Sequence, residues 1–199
     1  MREFAAFFVR TAQVPAEELP APPEDWPADG ESEKFLHWLV DFTENRVHLP
    51  NRDRFGDLFD AVGIPLDAMT TFKKNHRGLT RRPFVLLHTD VHRANVVLHR
   101  KGIPVIDWEL AIYGDPRHDL ATHLVRMGYS EDERQRMIAL WAKAMEEADL
   151  GPLTEGLRED LGTYLDFEYA QSVFPDVMRA ALALSADAGE QHFRAAGER

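Results

Sequence analysis

His88, Asp90, Asn95 and Asp107 stand in a segment, residues 86–124, that holds five of the chain's nine histidines and four aspartates between short runs of Val, Leu and Ile. Acidic and imidazole side chains threaded between apolar strands mark a site built on sheet ends, because a surface helix has no need of such a grouping. If strand ends bring the four residues together, Asp90, which follows a strand and opens a loop, can accept a proton from a hydroxyl nucleophile. Asn95 offers a neutral amide oxygen and Asp107 an anionic one, a pair that suits Mg²⁺, which keeps several waters and takes further ligands from substrate phosphates. One base plus a metal pair is the minimum apparatus for phosphoryl transfer, where positioning and charge neutralisation do most of the catalysis. The plainer reading of these Asp and Asn residues is turn chemistry, which they favour on their own account.

The elements that must position them can be read in outline. "PFVLLH" and "VVLH" are short β-rich runs, and "IPVIDWE" is a third, split from the second by "RKG"; three short strands are expected. Upstream, Phe4, Phe7 and Phe8 stand near helical spacing before the Pro-rich "PAEELPAPPEDWPAD", and Phe35, Trp38, Leu39 and Phe42 form one apolar face of a second helix. A further helix follows Pro65 through Leu66, Met69 and Phe72 and should stop near Gly78. Downstream, Asp115-Pro116 reads as an N-cap followed by proline at the first helical position, and Ser130 with Glu133 as a capping box before Met137, Trp141 and Met145. The rest is expected to be helical to about Leu184, with a fraying tail.

Taken together, "HTDVHRAN", "VIDWE" and "GDPRHDLA" resemble the aminoglycoside phosphotransferase and choline kinase-like family, relatives of the protein kinases. The compound order His-x-Asp-x4-Asn, a short hairpin, Ile-Asp-Trp-Glu and then Gly-Asp-Pro-x-x-Asp-Leu-Ala is far more specific than any one piece. The resemblance implies that Asp90 is the catalytic base, that Asn95 and Asp107 hold Mg²⁺ with its ATP, and that His88 braces the catalytic loop. His92 matches a position where the family often has histidine, and Thr89 replaces the family's usual glycine. The implied fold is α+β: a mainly helical, protein-kinase-like C-terminal lobe whose small β-hairpin sheet carries the catalytic loop.

The expected organisation is one lobe over residues 1–185, with helices and a Pro-rich loop in 1–50, catalytic and metal-binding strands and loop in 83–110, a helical substrate side in 115–185, and a frayed tail in 186–199. The lobe that in this family contacts the ATP phosphates through a strand lysine is not represented: no Gly-x-Gly-x-x-Gly occurs, and the first glycine is Gly30. An upstream or separate N-terminal lobe, or self-association through the face that would meet it, is therefore the expected partner arrangement. Beside the motif, Asp115 is expected to be a helix cap and Asp119 to bond catalytic-loop backbone. His118 and His123 are expected on a helix surface, and Trp108 in core packing.

Composition bounds the alternatives. The 199 residues carry a formal charge of −11, which argues against nucleic-acid or anionic-membrane partners, and no apolar run approaches a membrane span. No signal peptide is evident, so a cytoplasmic location is expected. Without cysteine, any metal must be held by carboxylate, amide or imidazole, which favours a hard ion. Charge is uneven: residues 72–102 carry eight Lys and Arg against Asp90 alone, whereas residues 131–168 carry eleven acids against four bases. Two solvated faces would explain this; the sharper reading is a phosphate-binding region and a wall for a cationic small-molecule hydroxyl acceptor, an aminoglycoside-like antibiotic being the nearest guess. Two rival readings stand beside this one. "RHDLATH", with His88 and His92, could serve an HD-type metal phosphohydrolase, but those enzymes are helical and the strand runs are not. A lobe-less, non-catalytic kinase-like binding protein is the other.

Overall fold

The aromatic spacing near the start does form a helix. In the computed structural model, which describes residues 1–97 and 103–184, α1 (Arg2–Ala12) buries Ala5, Phe7 and Phe8 on one face, as its three- and four-residue apolar spacing demands. Helix α2 (Ser32–Phe42) continues through a π-helical turn, Thr43–His48, into α3 (Leu49–Ala61), and α4 (Ala68–Asn75) follows. Strand β1 (Val85–Leu87) leads to the central loop, and β2 (Ile112–Gly114) returns beside it. Three helices complete the described chain: α5 (Pro116–Arg126), α6 (Glu131–Glu147) and α7 (Leu157–Ala183).

The caps behave as their chemistry requires. Asp115 accepts the Arg117 N–H ahead of Pro116, and Ser130 and Glu133 form a reciprocal capping box. Helix α3 had no counterpart among the expected helices. Its apolar face is narrow, only Phe55 and Phe59 being buried.

The sheet differs in detail from the three strands expected. It has two strands, β1 and β2, antiparallel with Val85 opposite Gly114 and Leu87 opposite Ile112. Among the described residues the second and third apolar runs pair at the Val96–Val105 bridge, where the Val97 amide also donates to the Pro104 carbonyl at 2.9 Å, and Leu98 and His99 lie outside the described residues. The partner of β1 is thus "IYG", and the segment from His88 to Ala111 lies in a wide β1–β2 connection.

The chain divides into two units, whose boundaries fall inside α2 and α7. The first comprises Met1–Trp38 and Arg77–Glu168, and the second Leu39–His76 with the residues from Tyr169 onward. In the first, α1 packs on β1 and α6, and α5 packs on β1. Its core is Phe7, Phe8, Phe35, Leu87, Leu120, Leu124, Met137, Trp141, Tyr164 and Phe167. Gly114 is required there, because a Cβ would collide with the Phe35 ring. A buried ionic cluster ties this unit together: Arg82 binds Asp115 and Asp160, and Arg117 donates to the Leu153 and Glu155 carbonyls at 2.8 and 2.9 Å. Burial and the neighbouring Arg82 draw Arg117 down to about 9, against the pull of Asp115. In the second unit, buried His48 sits against Phe59 and Phe174 and bonds Glu44. Among the described residues no helix is long and apolar enough to cross a membrane. The tail beyond Leu184 lies outside the described residues.

Candidate active site

β1 ends at Leu87, and the chain then makes a turn that few residues accept. Thr89 has φ 62°, a left-handed conformation that crowds a β-branched side chain against its own backbone and costs about 1–2 kcal/mol. Three bonds hold it. The His88 and Thr89 amides donate to the two oxygens of Asp119 at 3.0 and 2.8 Å, and the Thr89 hydroxyl donates to the Leu110 carbonyl at 2.8 Å. A glycine, the residue usual here in the family this segment resembles, would adopt the conformation without strain. Asp119 is enclosed on α5; burial pushes its carboxyl up to about 6, against the downward pull of its two amide donors.

His88 is fully buried and uses both ring nitrogens. Nε2 lies 3.0 Å from the Ile106 carbonyl, which can only accept, so Nε2–H donates and Nδ1 is left to accept the Asp90 amide at 3.3 Å. One imidazole therefore joins the backbone before Asp107 to the backbone of Asp90. Phe7 and Trp108 contact its ring edge-on.

Asp90 sits at the mouth of the loop, its side chain partly exposed. Its Oδ1 accepts from Arg126 at 2.7 Å; its Oδ2 accepts from Asn95 Nδ2 at 2.9 Å and lies 3.3 Å from His92 Nε2. Asn95 Nδ2 also donates to the Asp90 carbonyl at 3.1 Å. With its amide hydrogens committed to Asp90, Asn95 has its side-chain oxygen left as an acceptor. The Asn95 backbone carbonyl in turn accepts the Ile106 amide at 2.9 Å, which brings the residue preceding Asp107 against Asn95. Asp107 has φ 69° and is exposed, and its carboxylate has no hydrogen-bond or ion-pair partner among the described residues.

This donor set fits a hard divalent cation: one side-chain amide oxygen left as an acceptor, one carboxylate with no partner among the described residues, and no sulfur or unengaged imidazole beside them among those residues. The structure thus brings His88, Asp90 and Asn95 into one bonded network and sets Asp107 at its edge. It does not assemble an HD-type site. Both nitrogens of His88 and of His92 are engaged with protein, and no metal-ligand group among the described residues contains His88, His92, His118 or Asp119.

Three expectations change. His118 and His123 are not on a helix surface: both are buried, because α5 is covered on nearly every side. His118 packs among Phe35, Tyr164 and Phe167, and burial lowers it to about 4. His123, lowered likewise to about 4, donates Nδ1–H to the Val91 carbonyl at 2.8 Å and takes the Tyr129 hydroxyl on Nε2 at 3.2 Å, under Phe4 and Phe8. Trp108 is 40% exposed and rests one side on Phe7 and His88. Arg126 was not foreseen either. Asp119, Thr122 and Arg126 recur at intervals of three and four along α5, a polar stripe from which Asp119 and Arg126 reach the loop and Thr122 bonds Glu168, and that period is the available signal.

A helical unit with a two-stranded ribbon and a braced His-x-Asp loop has the architecture of a protein-kinase-like fold. The sequence matches the phosphotransferase enzyme family (APH) over residues 1–159, and the chain belongs to that family. Solved structures share the fold. A candidate aminoglycoside phosphotransferase of Ralstonia eutropha JMP134 superposes with a TM-score of 0.55 at 17% identity, covering 99% of this chain and 60% of that one. Plasmodium vivax ethanolamine kinase superposes with a TM-score of 0.52 at 14% identity, covering 98% of this chain and 58% of that one. The chain therefore spans less than two thirds of either protein. No curated protein sequence matches it.

Proposed function

We propose that this chain carries the catalytic base and metal ligands of an ATP- and Mg²⁺-dependent phosphotransferase acting on a hydroxyl of a small molecule. The observation that supports the reading is the division of labour at Asn95: its side-chain amide donates to Asp90, its side-chain oxygen is left as an acceptor, and its backbone carbonyl accepts the amide of Ile106, the neighbour of Asp107, whose carboxylate has no partner among the described residues. Asp90 takes the proton of the acceptor hydroxyl as that oxygen bonds the γ-phosphorus and the bond to the β–γ bridging oxygen breaks, releasing ADP. Mg²⁺, held by Asn95 and Asp107, would neutralise charge on the phosphates. His88, with Asp119, keeps the Asp90 backbone in register with the Asp107 segment.

The acidic character of α6 and α7 supports a cationic acceptor, an aminoglycoside or an amino alcohol among the candidates. Two of those acids are spent internally, Asp160 on Arg82 and Glu168 on Arg126, while Glu131, Asp132, Glu133, Glu146, Glu147, Glu159 and Asp166 are exposed. The test is phosphoryl transfer from ATP to a panel of cationic and neutral hydroxyl compounds, on the full natural polypeptide that contains these residues. Asp90→Ala should lower turnover by about 10²–10⁴ without unfolding the protein. Asp107→Asn should weaken Mg²⁺-dependent nucleotide binding. Acceptor affinity should fall between about 0.05 M and 0.5 M salt. More than about a tenth of the activity remaining in Asp90→Ala would remove Asp90 as base, and salt-independent acceptor binding would return the acids to a solvated face.

A further inference from the structure

One guanidinium on α5 serves two carboxylates of different character. Arg126 Nη1 donates to Asp90 Oδ1 at 2.7 Å, and its Nε donates to Glu168 Oε1 at 3.1 Å. Glu168 is wholly buried, and its second oxygen accepts the hydroxyl of buried Thr122 at 3.2 Å. A buried carboxylate costs several kcal/mol unless paired, so Glu168 fixes the inner edge of the guanidinium. The other edge of this partly exposed side chain reaches Asp90. Arg126 is a rigid planar fork, and both prongs are specified.

We propose that Arg126 is a positioning residue for Asp90: anchored on Glu168, it fixes the plane of the Asp90 carboxylate at which the acceptor hydroxyl must arrive. The proposal rests on the reading of Asp90 as base. Asn95 and His92 hold Oδ2 from the loop itself, and Arg126 holds Oδ1 from the helix. The carboxylate is thus gripped from two elements and cannot rotate without breaking one grip. Lysine could supply the charge but not both bonds at this angle.

The test compares Arg126→Gln, Arg126→Lys and Glu168→Gln, each alone and with Asp90→Asn, on the full natural polypeptide. Arg126→Gln should lower kcat roughly 10- to 100-fold, the scale of a misplaced catalytic group, and leave KM for ATP within about twofold. Glu168→Gln, which never touches Asp90, should lower kcat in the same sense, and Arg126→Lys should fall between wild type and Arg126→Gln. In the Asp90→Asn background Arg126→Gln should cost nothing more. An unchanged kcat in Arg126→Gln, or an equal loss in the Asp90→Asn background, overturns the proposal. If Asp90→Asn itself stays active, the reading of Asp90 fails; if it is inactive while Arg126→Gln is fully active, only the positioning role fails. Independently of turnover, the Arg126 Nε–H resonance should exchange slowly in wild type and fast in Glu168→Gln. Fast exchange in the wild type would remove the anchor.

Discussion

At Thr89 the chain accepts a left-handed backbone in a residue poorly suited to it, and the surroundings compensate through two amide bonds to Asp119 and a hydroxyl bond to Leu110. Replacement by glycine removes the steric cost and the hydroxyl bond together, two effects of about 1–2 and about 1 kcal/mol that oppose each other. Thr89→Gly should therefore lie within about 1 kcal/mol of wild type in stability. Thr89→Val keeps the crowding and loses the bond, and should be less stable by about 1–2 kcal/mol in chemical denaturation. Equal midpoints for wild type and Thr89→Val would show that the Leu110 bond contributes nothing.

Among the elements, α5 ties most of the site together. It supplies Asp119 to the loop, Arg126 to Asp90 and His123 to the Val91 carbonyl, and its two buried histidines make it sensitive to acid. Each is held near 4 by burial against an ordinary value of 6.5. The unfolded chain then binds more protons than the folded one between those limits. Stability is fully present above about pH 6.5 and is lost as pH falls toward 4, by on the order of 3 kcal/mol per histidine. Asp119, raised to about 6, acts in the opposite sense and offsets part of the loss. Urea unfolding at pH 7 and pH 5 should show the lower stability at pH 5. His118→Phe, in a ring-lined site where Nδ1 lacks a hydrogen-bond partner among the described residues, should flatten the dependence. An unaltered pH slope in that variant would assign the acid sensitivity elsewhere. The start of α5 was legible in the sequence, because capping by Asp115 and Pro116 is local chemistry. Its burial was not, since what covers His123 is Phe4 and Phe8 from the far end of the chain. The same distinction governs the sheet. The apolar run at Val85–Leu87 announced a strand, whereas Ile112–Gly114 becomes one only by pairing with it across the loop. His88, Asp90, Asn95 and Asp107 could be picked out by type and spacing, but the second grip on Asp90, from Arg126 and Glu168, spans distances that no local pattern encodes.

For the molecule as a whole, the segments that carry Asn95 and Asp107 expose large apolar side chains. Val97, Ile106, Trp108 and Leu110, which flank Asn95 and Asp107 in sequence, are 46%, 49%, 40% and 52% exposed. Large apolar side chains grouped beside a site are commonly covered by something else. We propose that a second copy of this chain covers them. Light scattering of the 199-residue chain alone should read above the monomer mass, and Ile106→Ser with Leu110→Ser should restore the monomer. A wild-type chain that is monomeric at high concentration would exclude the second copy.

The bonds from His88 and Thr89 to Asp119 cross some thirty residues of chain, and this sets the order in which the protein can become competent during folding. Helices α1, α6 and α7 can gain their backbone bonds locally and early, whereas the loop acquires its geometry only once α5 has docked, a step with a larger loop-closure cost. In a refolding experiment, hydrogen-exchange protection of the His88 and Thr89 amides should recover after the helical far-ultraviolet signal. Recovery of both in a single shared phase would mean that α5 and the loop form together in the transition state.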